Sequence, residues 1–100
     1  MKRTFVYILY SEKLTRFYVG VTYNIDRRMK QHNSSESPFT KAGTPWKILW
    51  ITEKENKQLA EILERKLKNL TAARKLKFMK KYKEGIVEKD YLNKLISDKS

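Results

Sequence analysis

One hundred residues carry 23 lysines and arginines against 11 acidic residues, for a formal charge of +12 and a pI near 10. That excess points to a polyanionic partner, nucleic acid first and an anionic membrane surface second, because neutralising phosphates releases condensed counterions. Cysteine is absent, which excludes disulfides, thiolate nucleophiles and a cysteine-built zinc site, and the lone His32 cannot build a metal cage.

Residues 3–10 and 16–22 are dense in aromatic and β-branched side chains and read as the two strands of a hairpin. A four-residue loop from Ser11 to Leu14 sets Tyr7 opposite Tyr18. The apolar run from Phe5 to Tyr10 is too short for the apolar region of a signal peptide and far short of the ~20 residues that span a bilayer. A cytoplasmic protein is expected.

Asn24 is placed to cap a short helix through His32. On that helix Ile25, Arg28, Met29 and His32 share one face, and Arg27 points away. Residues 33–45 are rich in Ser, Thr, Pro and Gly and read as an exposed loop long enough to have a role. Trp46 to Thr52 reads as a third strand, with Trp46, Ile48 and Trp50 on one side and Leu49 and Ile51 on the other.

From Asn56 to Leu70 the apolar residues Leu59, Ile62, Leu63, Leu67 and Leu70 recur at helical period, leaving Glu64 on the flank, roughly 120° from the apolar centre. Thr71 caps a further helix that turns Ala72, Leu76 and Met79 inward and projects Lys75, Lys77, Lys80, Lys81 and Lys83 elsewhere. Residues 1–84 are expected to form the domain, and residues 85–100 a tail or a loosely docked helix.

Phe5-Val6-Tyr7, then Tyr18-Val19-Gly20, then Arg28 ten residues past Tyr18, His32, and a helical Glu64 resemble the GIY-YIG nuclease superfamily in order and spacing. The resemblance covers about residues 4–80 and is closest to the small stand-alone bacterial members. It implies an α+β fold, a three-stranded antiparallel sheet flanked by helices in the order β-β-α-β-α-α, and single-metal hydrolysis of phosphodiesters. Tyr7 and Tyr18 match the two motif tyrosines, Gly20 the motif glycine, Arg28 the helix arginine, His32 a position held by histidine or tyrosine, and Glu64 the metal-binding glutamate. Phe5 and Val6 replace the glycine and isoleucine of the first motif, and Asn69 follows Glu64 too closely to take the role of a downstream asparagine.

Elementary chemistry agrees with these roles. Phosphodiester hydrolysis needs an activated water, neutralisation of charge on the phosphate and help for the leaving oxygen, and a divalent metal serves the last two. Mg²⁺ or Mn²⁺ suits a site with one carboxylate, Glu64, and arginine at position 28 offers a bidentate clamp that lysine cannot copy. Tyr7 or His32 takes the water's proton: a phenol near pKa 10 is a poor base at neutrality, and an imidazole near 6.5 is chemically easier.

Between Arg65 and Lys83 stand nine basic residues and no acid. Arg27, Lys66, Lys68, Arg74, Lys75 and Lys77 are therefore expected to track a nucleic-acid backbone, DNA in preference to RNA. With no separate recognition domain, selectivity is expected to come from substrate shape or from a protein partner. The alternative is a non-catalytic DNA- or RNA-binding module on the same scaffold.

Overall fold

The computed structural model describes residues 3–34, 38 and 40–99, with backbone alone for residues 98–99. Three strands and four helices follow one another as β1 (Thr4–Ser11), β2 (Arg16–Thr22), α1 (Ile25–Asn33), β3 (Trp46–Lys54), α2 (Lys57–Lys68), α3 (Ala72–Lys81) and α4 (Lys89–Lys99). The sheet is antiparallel with β1 in the centre, β2 on one edge and β3 on the other. This is the expected fold class with one more helix.

Three caps form, those at Asn24 and Thr71 as expected and a third at Asn56. The side chains of Asn24, Asn56 and Thr71 accept hydrogen bonds from the backbone amides of Arg27, Leu59 and Arg74, relieving donors that the first helical turn leaves unpaired.

Alternation along β1 divides the interior into two layers. Val6, Ile8 and Tyr10 join Ala60 and Leu67 of α2, Leu76 and Met79 of α3, and Leu92 and Leu95 of α4 in the larger apolar cluster. On the other face Tyr7, Leu9 and Trp46 pack with Ile25 and Met29 of α1. α4 lies against the larger cluster with Leu92 and Leu95 buried.

Two strand expectations are corrected. The hairpin loop occupies residues 12–15, one step later than expected, so Tyr7 pairs with Gly20, and Tyr18 with Leu9. Ser11 stays in the strand and its hydroxyl accepts from the Leu14 amide, while Thr15 closes the turn at φ 51°, in the left-handed region. In β3 the register slips: Ile8 pairs with Trp50 but Leu9 with Ile48, leaving Leu49 as a bulge. The extra residue turns Trp50 to the helical layer with Leu49 and moves Ile51 to the α1 side, where Trp46 and Ile48 lie.

Residues 35–37 and 39 of the expected 33–45 loop lie outside the described residues. Around them the segment is not wholly exposed. Thr40 is buried, and a 3₁₀ turn (Lys41–Gly43) leads into a cis Thr44–Pro45 bond and β3.

Candidate active site

Tyr7 points from the central strand across β2, where Gly20 is its direct cross-strand partner. A Cβ on Gly20 would collide with the phenol hydroxyl and ring, so only glycine lets the tyrosine lie flat over the edge strand. From α1, capped by Asn24, two side chains on the inward face meet that hydroxyl. Arg28 Nε donates to it at 3.4 Å, and His32 Nε2 lies 2.9 Å from it.

The far side of the imidazole is held as well, with Nδ1 2.8 Å from the Thr40 hydroxyl. With Nδ1 protonated, the Tyr7 O–H donates to Nε2 while Arg28 donates to the phenol oxygen, and Nδ1–H donates to the Thr40 hydroxyl. Thr40 is fixed in turn, because its carbonyl accepts from the Trp46 indole at 2.7 Å. Asn33 at the end of α1 bonds the backbone of Trp46 in both directions, which ties the helix to β3.

Tyr18 completes the cluster by ring contacts, its centroid 6.5 Å from Tyr7, 5.2 Å from His32 and 6.1 Å from Trp46. Its phenol also helps to hold the Arg28 guanidinium protonated.

Burial sets the electrostatics. His32 is fully buried and its pKa falls to about 4, first from lost solvation and then from the Arg28 charge, so the ring is neutral at pH 7. The Tyr7 phenol is pushed up by burial, partly offset by the Arg28 bond, with Tyr18 and Glu64 adding to the rise. Arg28 is held more firmly protonated, chiefly by its bond to Tyr7.

Glu64 sits on the flank of α2 as expected, its side chain 19% exposed and 3.2 Å from the Lys68 ammonium. Its carboxylate is close enough for its charge to act on Tyr7. Among the described residues no three His, Cys, Asp or Glu side chains gather as a metal cage. A single carboxylate whose charge reaches Tyr7 nevertheless suits Mg²⁺ or Mn²⁺, which keep several waters and take further ligands from substrate phosphate.

The remaining expected contacts divide. Arg27, Lys66, Lys68, Arg74 and Lys77 are exposed. Lys75 departs from the outward projection expected of it: its ammonium donates to the Leu70 carbonyl, and partial burial lowers its pKa. That bond joins the connection after α2 to α3. Asn69 is the C-cap residue of α2, its backbone amide bonded to Arg65, which is a structural position.

Two partners in the cluster escaped sequence reasoning. Gln31 accepts from Arg28 Nη1 at 3.0 Å, and Thr40 holds the histidine. The Arg28–Gln31 spacing of three along α1 was a signal for the first. No periodicity connects His32 to Thr40.

The sheet with its crossing tyrosine, and a helix that brings an arginine and a histidine onto it, make up a GIY-YIG catalytic domain. The model of that domain matches residues 3–83, and the chain belongs to this family, an endonuclease superfamily. Its similarities lie among the small stand-alone members. It is 35% identical over 89 residues to a UPF0213 protein of Clostridium perfringens, covering 86% of this chain and 95% of that one. A UPF0213 protein of Syntrophus aciditrophicus is 32% identical over 88 residues, covering 84% and 98%. The solution NMR structure of a UPF0213 protein from Bacillus halodurans superposes with a TM-score of 0.52 at 26% identity, covering 78% of this chain and 83% of that one.

Proposed function

We propose that the protein is a divalent-metal-dependent endonuclease that hydrolyses phosphodiester bonds in DNA, selecting its substrate by shape more than by sequence. The observation that carries this reading is the meeting of Arg28 and His32 at the Tyr7 hydroxyl, with the Tyr18 ring packed alongside and the Glu64 charge acting on Tyr7. Exposed Lys66, Lys68, Arg74 and Lys77 supply the charge that holds a backbone without reading bases.

Each side chain has a task. Arg28 binds the scissile phosphate and stabilises the charge that builds on it. Glu64 holds the metal, which when bound supplies Lewis-acid stabilisation of the phosphate and the leaving oxygen. Lys68, now paired with Glu64, would give up that ion pair to a bound metal.

Both His32 ring nitrogens are engaged, by Tyr7 and by Thr40, so the attacking water is assigned to Tyr7, whose equally buried hydroxyl is reached when Arg28 turns from it to the phosphate. The water's proton passes to the phenol oxygen as the phenol's own proton passes to His32 Nε2, a relay that avoids a phenolate in a buried site. Pairing of Arg28 with phosphate removes one of the two causes that depress His32, which makes the imidazole a better acceptor at that moment.

The test is Glu64→Ala assayed on linear, branched and single-stranded DNA and on RNA in Mg²⁺ and Mn²⁺. Cleavage is expected to vanish while folding and most DNA affinity persist. Cleavage at the parent rate would overturn the assignment, and salt-sensitive binding by the parent with no scission of any substrate would leave a binding module.

A further inference from the structure

Beside the tyrosine cluster, a cleft of about 380 Å³ opens between the start of α1 and the first residue of α2. Its lining includes Arg27, Arg28 and Lys57 and no carboxylate, together with Gln31, Thr4 and Tyr23. The volume falls within the range of small-ligand sites. Three features give it a chemical character.

Arg28 belongs both to this cleft and to the Tyr7 cluster, so whatever fills the cleft adjoins the phosphate at the reacting centre. Tyr23 has 49% of its surface exposed, an uncommon position for an aromatic ring. Thr4, 2% exposed, also lines the cleft, and its Oγ1 is the one buried side-chain polar atom among the described residues without a hydrogen-bond partner. Its neighbours on the same face of β1, Val6 and Ile8, are apolar, so packing alone would favour valine here.

We propose that this cleft is a nucleotide subsite. It takes the nucleoside next to the phosphate held by Arg28, with the base stacked on Tyr23, the adjoining phosphate between Arg27 and Lys57, and the Thr4 hydroxyl hydrogen-bonded to the bound unit. Stacking on a tyrosine requires a base that has left its own duplex stack. The substrate is therefore a nucleic acid with an unpaired nucleotide beside the cut, as at a flap, fork or single strand. This rests on the reading of Arg28 as the phosphate ligand.

The experiment follows amide chemical shifts of the full chain, without metal, on titration with deoxyadenosine 5′-monophosphate, 2-deoxyribose 5-phosphate and inorganic phosphate. The nucleotide is expected to bind about tenfold or more tighter than the sugar phosphate, with shifts centred on residues 22–31. Tyr23→Ala should abolish that difference without changing inorganic phosphate binding, and Tyr23→Phe should preserve it. Thr4→Val should melt at a higher temperature yet bind the nucleotide severalfold more weakly, which a purely structural threonine would not do.

Equal binding of nucleotide and sugar phosphate, or a Tyr23→Ala variant that keeps the difference, overturns the subsite. Neither metal nor scission enters the measurement. Base-dependent binding without cleavage therefore counts against the nuclease reading alone, and cleavage without base-dependent binding counts against the subsite alone.

Discussion

The phenol of Tyr7 lies over the α-carbon of Gly20, its cross-strand partner, in the space a side chain would occupy. The glycine is thus part of how the tyrosine reaches α1. Gly20→Ala is expected to destabilise the fold by about 1–3 kcal/mol through overpacking and to push the hydroxyl off His32. Denaturant midpoints and cleavage rates check this; a variant with unchanged stability and rate would mean that the ring has room to move.

Stability should depend on His32. Its pKa of about 4 in the folded state lies below the ordinary 6.5, so between those values the unfolded chain binds more protons than the folded one. Stability is present above pH 6.5 and is lost as pH falls toward 4, by about 2 kcal/mol at pH 5. Denaturant unfolding at pH 7.5 and pH 5 tests the sign. His32→Gln should flatten the dependence in that window, and a slope that survives the substitution would point to other groups.

Arg28→Lys keeps the charge and loses the planar fork that bonds Tyr7 and Gln31 together. Cleavage should fall about 100-fold or more, in line with loss of a preorganised donor, with little change in the salt dependence of DNA binding. Single-turnover kinetics on a saturating substrate separates the two. Near-parental chemistry in the lysine variant would reduce Arg28 to a mere point charge.

Thr15 closes the hairpin at a positive φ that a β-branched residue rarely adopts, and its hydroxyl makes an exposed contact with the Leu14 carbonyl. Thr15→Gly should stabilise the protein by about 0.5–1 kcal/mol, the relief of left-handed strain exceeding the glycine's extra chain entropy. Thermal unfolding of the pair decides it; a lower melting temperature would show that the hydroxyl contact matters more than the backbone.

That same residue explains where sequence reasoning lost the register. Left-handed turn positions are usually marked by Gly or Asn, and a threonine there gives no mark. Ser11, whose hydroxyl caps the turn from inside the strand, looks like a loop residue by composition. The caps at Asn24 and Thr71 were legible because each stands one residue before an apolar period, whereas Asn56, followed by Lys57 and Gln58, carries no such mark. The Leu49 bulge was not, since Ile48-Leu49-Trp50 contains no breaker and strict alternation was the only rule to apply.

The shared face of Ile25, Arg28, Met29 and His32 could be read from helical spacing, and it is this face that brings arginine and histidine to Tyr7. The second bond of His32 could not, because Thr40 reaches it through a loop whose path follows no period. Lys75 looked like its neighbours in composition and is distinguished only by where α3 docks after Leu70.

The slip at Leu49 has a spectroscopic corollary. One indole rests against Tyr18 and bonds the Thr40 carbonyl; the other meets the Phe78 ring edge-on and bonds the Tyr82 carbonyl. Replacing either tryptophan with phenylalanine would leave a single intrinsic fluorophore in a known half of the molecule. Loosening around the histidine and melting of the helical side could then be followed as separate emission signals.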